Sequence, residues 1–172
     1  LYLDDEVCAG QLVNQTLVTG ANGLAGNWGH ICLPWPVEFE LEDRDCACGR
    51  SGCLGLFVSR AALSREYLLL SEREVPAKTV FAQAEQGDIV AESAIQVFED
   101  RLARGLAMVI NLMDPEVIVL SGRMSQPSRL FINIPRKWPG YVRGGANATR
   151  LVGFANTPEE MRRLCLLGAA SL

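Results

Sequence analysis

The chain has 172 residues, 49% of them hydrophobic and 21% charged, with a formal net charge of −4. This composition excludes a disordered chain and leaves room for a buried core without covalent staples. Lys and Arg never cluster beyond a pair, which argues against a nucleic-acid partner. No apolar window reaches the ~18 residues that a membrane span needs.

In chain order, residues 1–7, LYLDDEV, put three acids into a strand-like run with no positive signal-peptide start. The missing initiator Met suggests a piece of a longer protein. Residues 9–19, AGQLVNQTLVT, predict two short strands about a turn at Asn14-Gln15. Four glycines between Gly20 and Gly29 predict a loop made for close backbone approach. Residues 33–45, with two prolines and a run of acids, read as a surface excursion. After Cys53, Leu54, Phe57, Val58, Ala61, Ala62 and Tyr67 share one helical face.

A break at Glu74-Val75-Pro76 precedes a short helix over residues 77–86, ending at Gly87. Asp88 then caps a long helix to about Met113, with Val90, Ala94, Val97, Phe98, Leu102, Leu106, Val109, Ile110 and Met113 at near-helical spacing. Asp114-Pro115 stops it. VIVL at 117–120 reads as a buried strand, and Ser121-Gly122 opens a loop at its carboxyl end, where ligands sit in open α/β sheets. Residues 126–146, a mix of prolines, aromatics and glycines, are assigned no element. TRLVGFA at 149–155 reads as a strand. Thr157, Pro158 and Glu160 mark a helix start.

There are six cysteines: Cys8, Cys32, Cys46, Cys48, Cys53 and Cys165. A chain this apolar, with no secretory signal, favours a cytoplasmic location and a metal-binding subset over a disulfide scaffold. CACGRSGC at 46–53 places three of them within eight positions, and His30 is the only histidine. Zinc takes four thiolate or imidazole ligands in a tetrahedron, and Gly49 and Gly52 can fold the loop back. A Cys46–Cys53 or Cys48–Cys53 disulfide, or three unrelated buried thiols, would also suit the spacing. Cys8, Cys32 and Cys165 are expected to be plain core or surface thiols.

Read together, NGLAGNWGH, LPW, CACGRSGC and VIVLSGRMS resemble the ROK family of sugar kinases and sugar-responsive repressors, bacterial fructokinases in particular. The resemblance is good from about Gly10 to Ser125, and GAA at 168–170 fits the closing helix. It implies an α/β fold, the actin-like, ribonuclease H-like ATPase architecture, with residues 1–172 as its carboxyl-terminal lobe. A zinc loop would span residues 30–53 and the long helix about 88–113. His30, Cys46, Cys48 and Cys53 would hold one structural zinc. Asn22, Gly23, Asn27 and His30 would face a hexose, with fructose favoured, and Ser121 and Gly122 would face the nucleotide. MgATP is the implied phosphoryl donor and a homo-oligomer the implied assembly, away from membranes.

The family's amino-terminal D-x-G-G-T loop and catalytic aspartate have no counterpart in this sequence, so no catalytic residue is assigned. The missing lobe, or another chain, would have to supply them. The second glycine loop, G-T-G-x-G-x-G, falls on Asp4 to Gly10, where three acids would repel a triphosphate. The family's two sugar-binding glutamates are Asn27 and Gly55 here, and the adenosine loop is Ser121-Gly122-Arg123. These departures make independent sugar phosphorylation by this chain unexpected. They leave a non-catalytic sugar-sensing or oligomerising module as the alternative.

Overall fold

The computed structural model describes residues 1–145 and 148–154. Its first strands are short: β1 (Tyr2–Leu3) pairs antiparallel with β2 (Val7–Cys8). β3 (Leu12–Val13) pairs with β4 (Thr16–Leu17) about Asn14 and Gln15, both at positive φ. That is the expected hairpin, with the turn where the sequence put it.

Helices α1 (Gly55–Val58) and α2 (Arg60–Ser71) follow, then α3 (Ala77–Glu85) and α4 (Ile89–Met113). β5 (Val117–Leu120), α5 (Arg129–Lys137) and β6 (Arg150–Gly153) complete the described order. β5 and β6 pair in parallel, and a bridge from Tyr2 to Ser121 sets β1 beside the end of β5.

α4 is the axis on which α1, α2, α3 and α5 pack. The Asp88 carboxylate accepts from the N–H groups of Val90 (2.9 Å) and Ala91 (3.1 Å), satisfying two donors that the first turn leaves unpaired. The phenol of Tyr67 also donates to Asp88, so the cap is fastened to α2. Ala91, Ala94, Ile95, Phe98, Leu102, Ala103, Leu106, Ala107 and Ile110 form the buried face. Asp114 ends the helix in the left-handed region. Within α4, a Cβ at Gly105 would lie 2.9 Å from both Leu54 and Trp28, so the missing side chain lets the segment carrying Trp28 lie against the helix.

Several expectations are corrected. The helix after Cys53 is two helices, because Ser59 is extended and its Oγ caps α2 through the N–H of Ala62 (3.2 Å). Ala61 is exposed and Leu63 takes the buried place. Met113 is exposed, while Val90, Val97 and Val109 are only half-buried. Residues 126–146 contain α5, which buries Leu130 and Ile134 and holds Pro135 near its end. A proline there removes one intrahelical bond, two residues before the helix would stop anyway. The helix expected from Thr157, the GAA segment and Cys165 lie outside the described residues.

A leucine at position 105 should force Trp28 and Leu54 apart. Gly105→Leu is expected to cost about 1–3 kcal/mol in urea unfolding, and a midpoint equal to wild type would contradict this packing.

Candidate functional site

The glycine loop is pinned before it reaches the histidine. The N–H of Ala9 donates to the carbonyl of Gly26 (2.8 Å). A Cβ at Gly26 would lie 1.8 Å from the Ala9 carbonyl oxygen, and one at Gly29 would lie 2.2 Å from that of Val7. Only glycine permits this approach to β2. The chain then makes a 3-10 turn over Trp28–His30, with Trp28 buried and His30 exposed.

The cysteine loop is anchored separately. Asp45 and Ser51 form an antiparallel bridge, tightened by a 2.7 Å bond from the Ser51 hydroxyl to the Asp45 carboxylate. The N–H of Gly49 donates to the carbonyl of Cys46 (2.9 Å), and that of Gly52 to the carbonyl of Arg44 (2.9 Å). Gly49 and Gly52 both have positive φ, the conformation that lets the loop fold back. A bridge between Cys32 and Cys53, and a 2.7 Å bond from the N–H of Leu54 to the carbonyl of Ile31, lay this loop beside the His30 turn.

These two anchors bring His30, Cys46, Cys48 and Cys53 together, with all four ligand atoms within 4.8 Å of one another. Cys46 Sγ lies 3.5 Å from His30 Nδ1, and Cys48 Sγ lies 3.6 Å from Cys53 Sγ. A tetrahedral ion with metal–sulfur bonds of about 2.3 Å and metal–nitrogen bonds of about 2.0 Å puts its ligand atoms roughly 3.5–3.8 Å apart. A disulfide would need about 2.05 Å, and all five cysteines of the described residues are free. The four residues therefore fit a bound metal and do not fit a disulfide. The N–H of Arg50 and the neighbouring thiols draw the Cys48 thiol down to about 7, while burial and the same neighbours push Cys53 up to about 12. Thiols this close cannot all ionise without a cation among them.

The segment expected to be a surface excursion supplies the support. Val37, Phe39 and Leu41 are exposed, whereas Glu40 and Arg44 are buried. Glu40 accepts from Arg101 Nε (2.8 Å) and from Arg104 Nη1 (2.9 Å) and Nη2 (2.6 Å), all from α4. Arg101 also donates to Glu66 (2.5 Å), and Arg44 donates to the carbonyl of Leu56 (3.0 Å). Arg44 and Arg101 both lie over the ring of Phe57. Burial opposes the Glu40 charge, but the hydrogen bonds from Arg104 and Arg101 prevail and hold its carboxyl at about 2. Nothing in the segment distinguishes Glu40 from Glu38 or Glu42. The available signal was on α4, where Arg101 and Arg104 interrupt an apolar face and call for a buried acid.

The residues expected to face a sugar, Asn22, Gly23, Asn27 and His30, are all exposed on the glycine loop. The N–H of His30 donates to the carbonyl of Asn27 (3.2 Å), which ties the last two into one turn. A Cβ at Gly55 would lie 3.3 Å from the carbonyl oxygen of Gly29, so position 55 abuts the same turn. The groove of about 460 Å³ lined by Trp35, Asn111, Gly140, Tyr141, Val142 and Arg143 contains none of them. Ser121 and Gly122 lie on β1: the N–H of Ser121 donates to the Leu1 carbonyl (2.8 Å), and that of Leu3 to the Ser121 carbonyl (2.9 Å). Cys8 and Cys32 are exposed thiols.

This arrangement is that of a known class: residues 6–172 match the ROK family. The chain belongs to the ROK family. It is 26% identical over 155 residues to N-acetyl-D-glucosamine kinase of Yersinia enterocolitica, covering 88% of this chain and 51% of that protein. It thus spans about half the length of the curated relatives it matches. Among solved structures, a ROK family glucokinase from Streptomyces griseus in complex with glucose and AMPPNP superposes with a TM-score of 0.74. The identity is 23%, with 88% of this chain and 53% of that one covered. A ROK family transcriptional regulator, a homologue of the E. coli MLC protein, gives a TM-score of 0.71 at 24% identity, covering 88% and 40%. The fold is accordingly the actin-like ATPase architecture of ROK proteins.

Two measurements check the site. Reduced protein should carry about one divalent metal ion per chain, and Cys48→Ser or a chelator should lower both metal content and Tm; metal-free protein with an intact fold would contradict the geometry. Acid should weaken the support of the cysteine loop. The folded carboxyl of Glu40, at about 2, lies below its ordinary value of 4.5, so its contribution is complete above pH ~4.5 and fades as pH falls towards ~2. Glu40→Gln should remove roughly 2–4 kcal/mol of this acid-dependent stability, read from urea midpoints across that range.

Proposed function

We propose that this chain is the zinc-bearing, hexose-recognising carboxyl-terminal lobe of a ROK sugar kinase. The carrying observation is the ligand geometry of His30, Cys46, Cys48 and Cys53. Three thiolates and one imidazole in a tetrahedron select zinc, and four protein ligands close the site against an activated water. The zinc is therefore structural. It joins the cysteine loop to the turn that presents Asn27 and His30, the residues with which a sugar's hydroxyls would bond.

The lineage activity is ATP-dependent phosphorylation of a hexose. The motif resemblance favours fructose, and the curated relatives, N-acetyl-D-glucosamine kinases, add the amino sugar as a second candidate. The 172 residues contain no D-x-G-G-T and no assignable catalytic base, so phosphoryl transfer would need a second lobe. The reading includes a cytoplasmic location and a homo-oligomer, the latter implied by the family resemblance. Among the described residues, no helix is long and apolar enough to cross a membrane.

A sugar-sensing module is the second reading. The likeness to a ROK transcriptional regulator supports it, as does the acidic sequence at residues 4–6.

Calorimetry against fructose, glucose and N-acetyl-D-glucosamine should give saturable heat for one of them, reduced about tenfold or more in affinity by Asn27→Ala. A coupled ATP-dependent assay should show no turnover by these 172 residues. Absence of heat for any hexose by metal-loaded protein would sink the sugar-recognising role, and clear turnover would sink the division of labour.

A further inference from the structure

A loop that cradles phosphate presents unpartnered backbone N–H groups to the anion. Residues 4–10, where the family resemblance puts a phosphate loop, have three of theirs committed to bonds within the fold. The N–H of Asp4 donates to the Glu6 carbonyl (3.1 Å), that of Asp5 to the Asp4 carboxylate (2.9 Å), and that of Ala9 to Gly26 (2.8 Å). Val7 and Cys8 stand opposite Leu3 and Tyr2 in the β1–β2 ladder.

Two of the three acids, Asp4 and Asp5, are consumed internally by ion pairs. Asp4 is buried and accepts from Arg123 Nε (2.8 Å) and Nη2 (2.7 Å). Hydrogen bonds from Arg123 hold its carboxyl below the ordinary range, outweighing burial. Arg60 donates through Nε to Asp5 (2.9 Å), and its second contact to the same carboxylate is shorter still. Arg123 reaches Asp5 as well (3.3 Å). The N–H of Arg60 donates to the Asp4 carbonyl (2.8 Å). Arg123 also belongs to the loop that would have faced the nucleoside. That loop is pressed onto β1, where a Cβ at Gly122 would lie 2.2 Å from the Leu3 carbonyl oxygen. Both nucleotide-side loops are therefore tied to each other, and the donor set does not fit MgATP.

We infer that Asp4, Asp5, Arg60 and Arg123 form a closed ion latch in place of a nucleotide-phosphate site, so that this lobe binds its hexose without nucleotide. The inference rests on the sugar-recognising reading above. It assigns to the sugar a role as a ligand to be sensed by this lobe, with no phosphate held in the latch. Opening the latch is structurally mild for Arg123, whose side chain is 58% exposed.

The test is calorimetry of the reduced, metal-loaded chain with MgAMPPNP, with and without hexose. Wild type should show no saturable nucleotide heat into the low millimolar range; saturable heat competed by ADP overturns the latch. The combined variant Asp4→Gly, Asp5→Thr, Glu6→Gly, Cys8→Gly, which restores the glycine pattern, should gain affinity by about tenfold or more over the wild-type limit. A folded, metal-containing variant that gains nothing shows that the latch is not what excludes nucleotide. If that variant does not fold, Asp4→Asn with Asp5→Asn keeps the side-chain shapes and is read by the same two outcomes. Hexose heat in the same samples separates the two proposals: its loss in wild type counts against sugar recognition, while the nucleotide result still stands on its own.

Discussion

One inward-turned carboxylate, Glu40, holds the loop beside the cysteines to the core. It meets Arg101 and Arg104 of α4 in a pocket where all three side chains are nearly dry. Such a cluster is a poor source of net stability, because desolvation of the ions consumes most of the Coulombic gain. Its value is positional. An apolar residue at 40 could pack against α4 in many registers, whereas a carboxylate between two guanidinium groups has few. Arg44, four residues on, continues the constraint: its side chain is fixed by Leu56 and Glu66, and its carbonyl receives the N–H of Gly52. The cysteine loop thus takes its orientation from charges on a helix that contributes no ligand to the cluster.

The histidine reaches the same place by an unrelated route. Gly26 and Gly29 press its turn onto β2, and Trp28 wedges it against Gly105 of α4. His30 and Cys46 are 16 residues apart in sequence, so closing that loop costs about 2.5 kcal/mol of chain entropy beyond a constant term. Backbone bonds and buried arginines meet most of that cost. A metal arriving at the cluster then finds the donors already near tetrahedral spacing, and its binding energy goes into locking two anchored segments together. A closed site would suit such an ion: the four donors stand where two supports converge, and no reacting atom would have to reach it.

How much of this was legible in the sequence depends on the range of each interaction. The His/Cys cluster was readable because CACGRSGC is local and the only histidine of the sequence stands nearby. α4 was readable because its cap, period and stop are all written within the helix. Glu40 was not, since its partners lie more than 60 residues away and its flanking acids look the same. α5 was hidden by Pro127, Pro135 and Pro139, which read as breakers although only two apolar residues, Leu130 and Ile134, were needed to seat a short helix on α4. The acidic stretch at Asp4 reads in sequence as three acids, with no sign that two of them are paired. Its neutralising partners, Arg60 and Arg123, are distant in sequence and meet it only because β1 lies beside the end of β5.

The two ends of the sugar-kinase pattern therefore differ in kind. On the metal side, the residues demanded by the chemistry are present and spaced to perform it. On the phosphate side, the N–H groups of Asp4, Asp5 and Ala9 are paired, and Asp4 and Asp5 carry their own counter-ions. Charge repulsion alone would be a weak barrier, because salt screens it and bound magnesium offsets it. The ion pairs are a stronger one: a phosphate entering would have to break bidentate guanidinium–carboxylate bonds and leave Asp4 buried without a partner, an arrangement that typically costs several kcal/mol. A hexose at the proposed site would need neither of these changes, since Asn22, Asn27 and His30 lie on the surface of a different loop. The proposed sugar-facing loop and the loop of ion pairs at Asp4 and Asp5 are thus separate in this lobe.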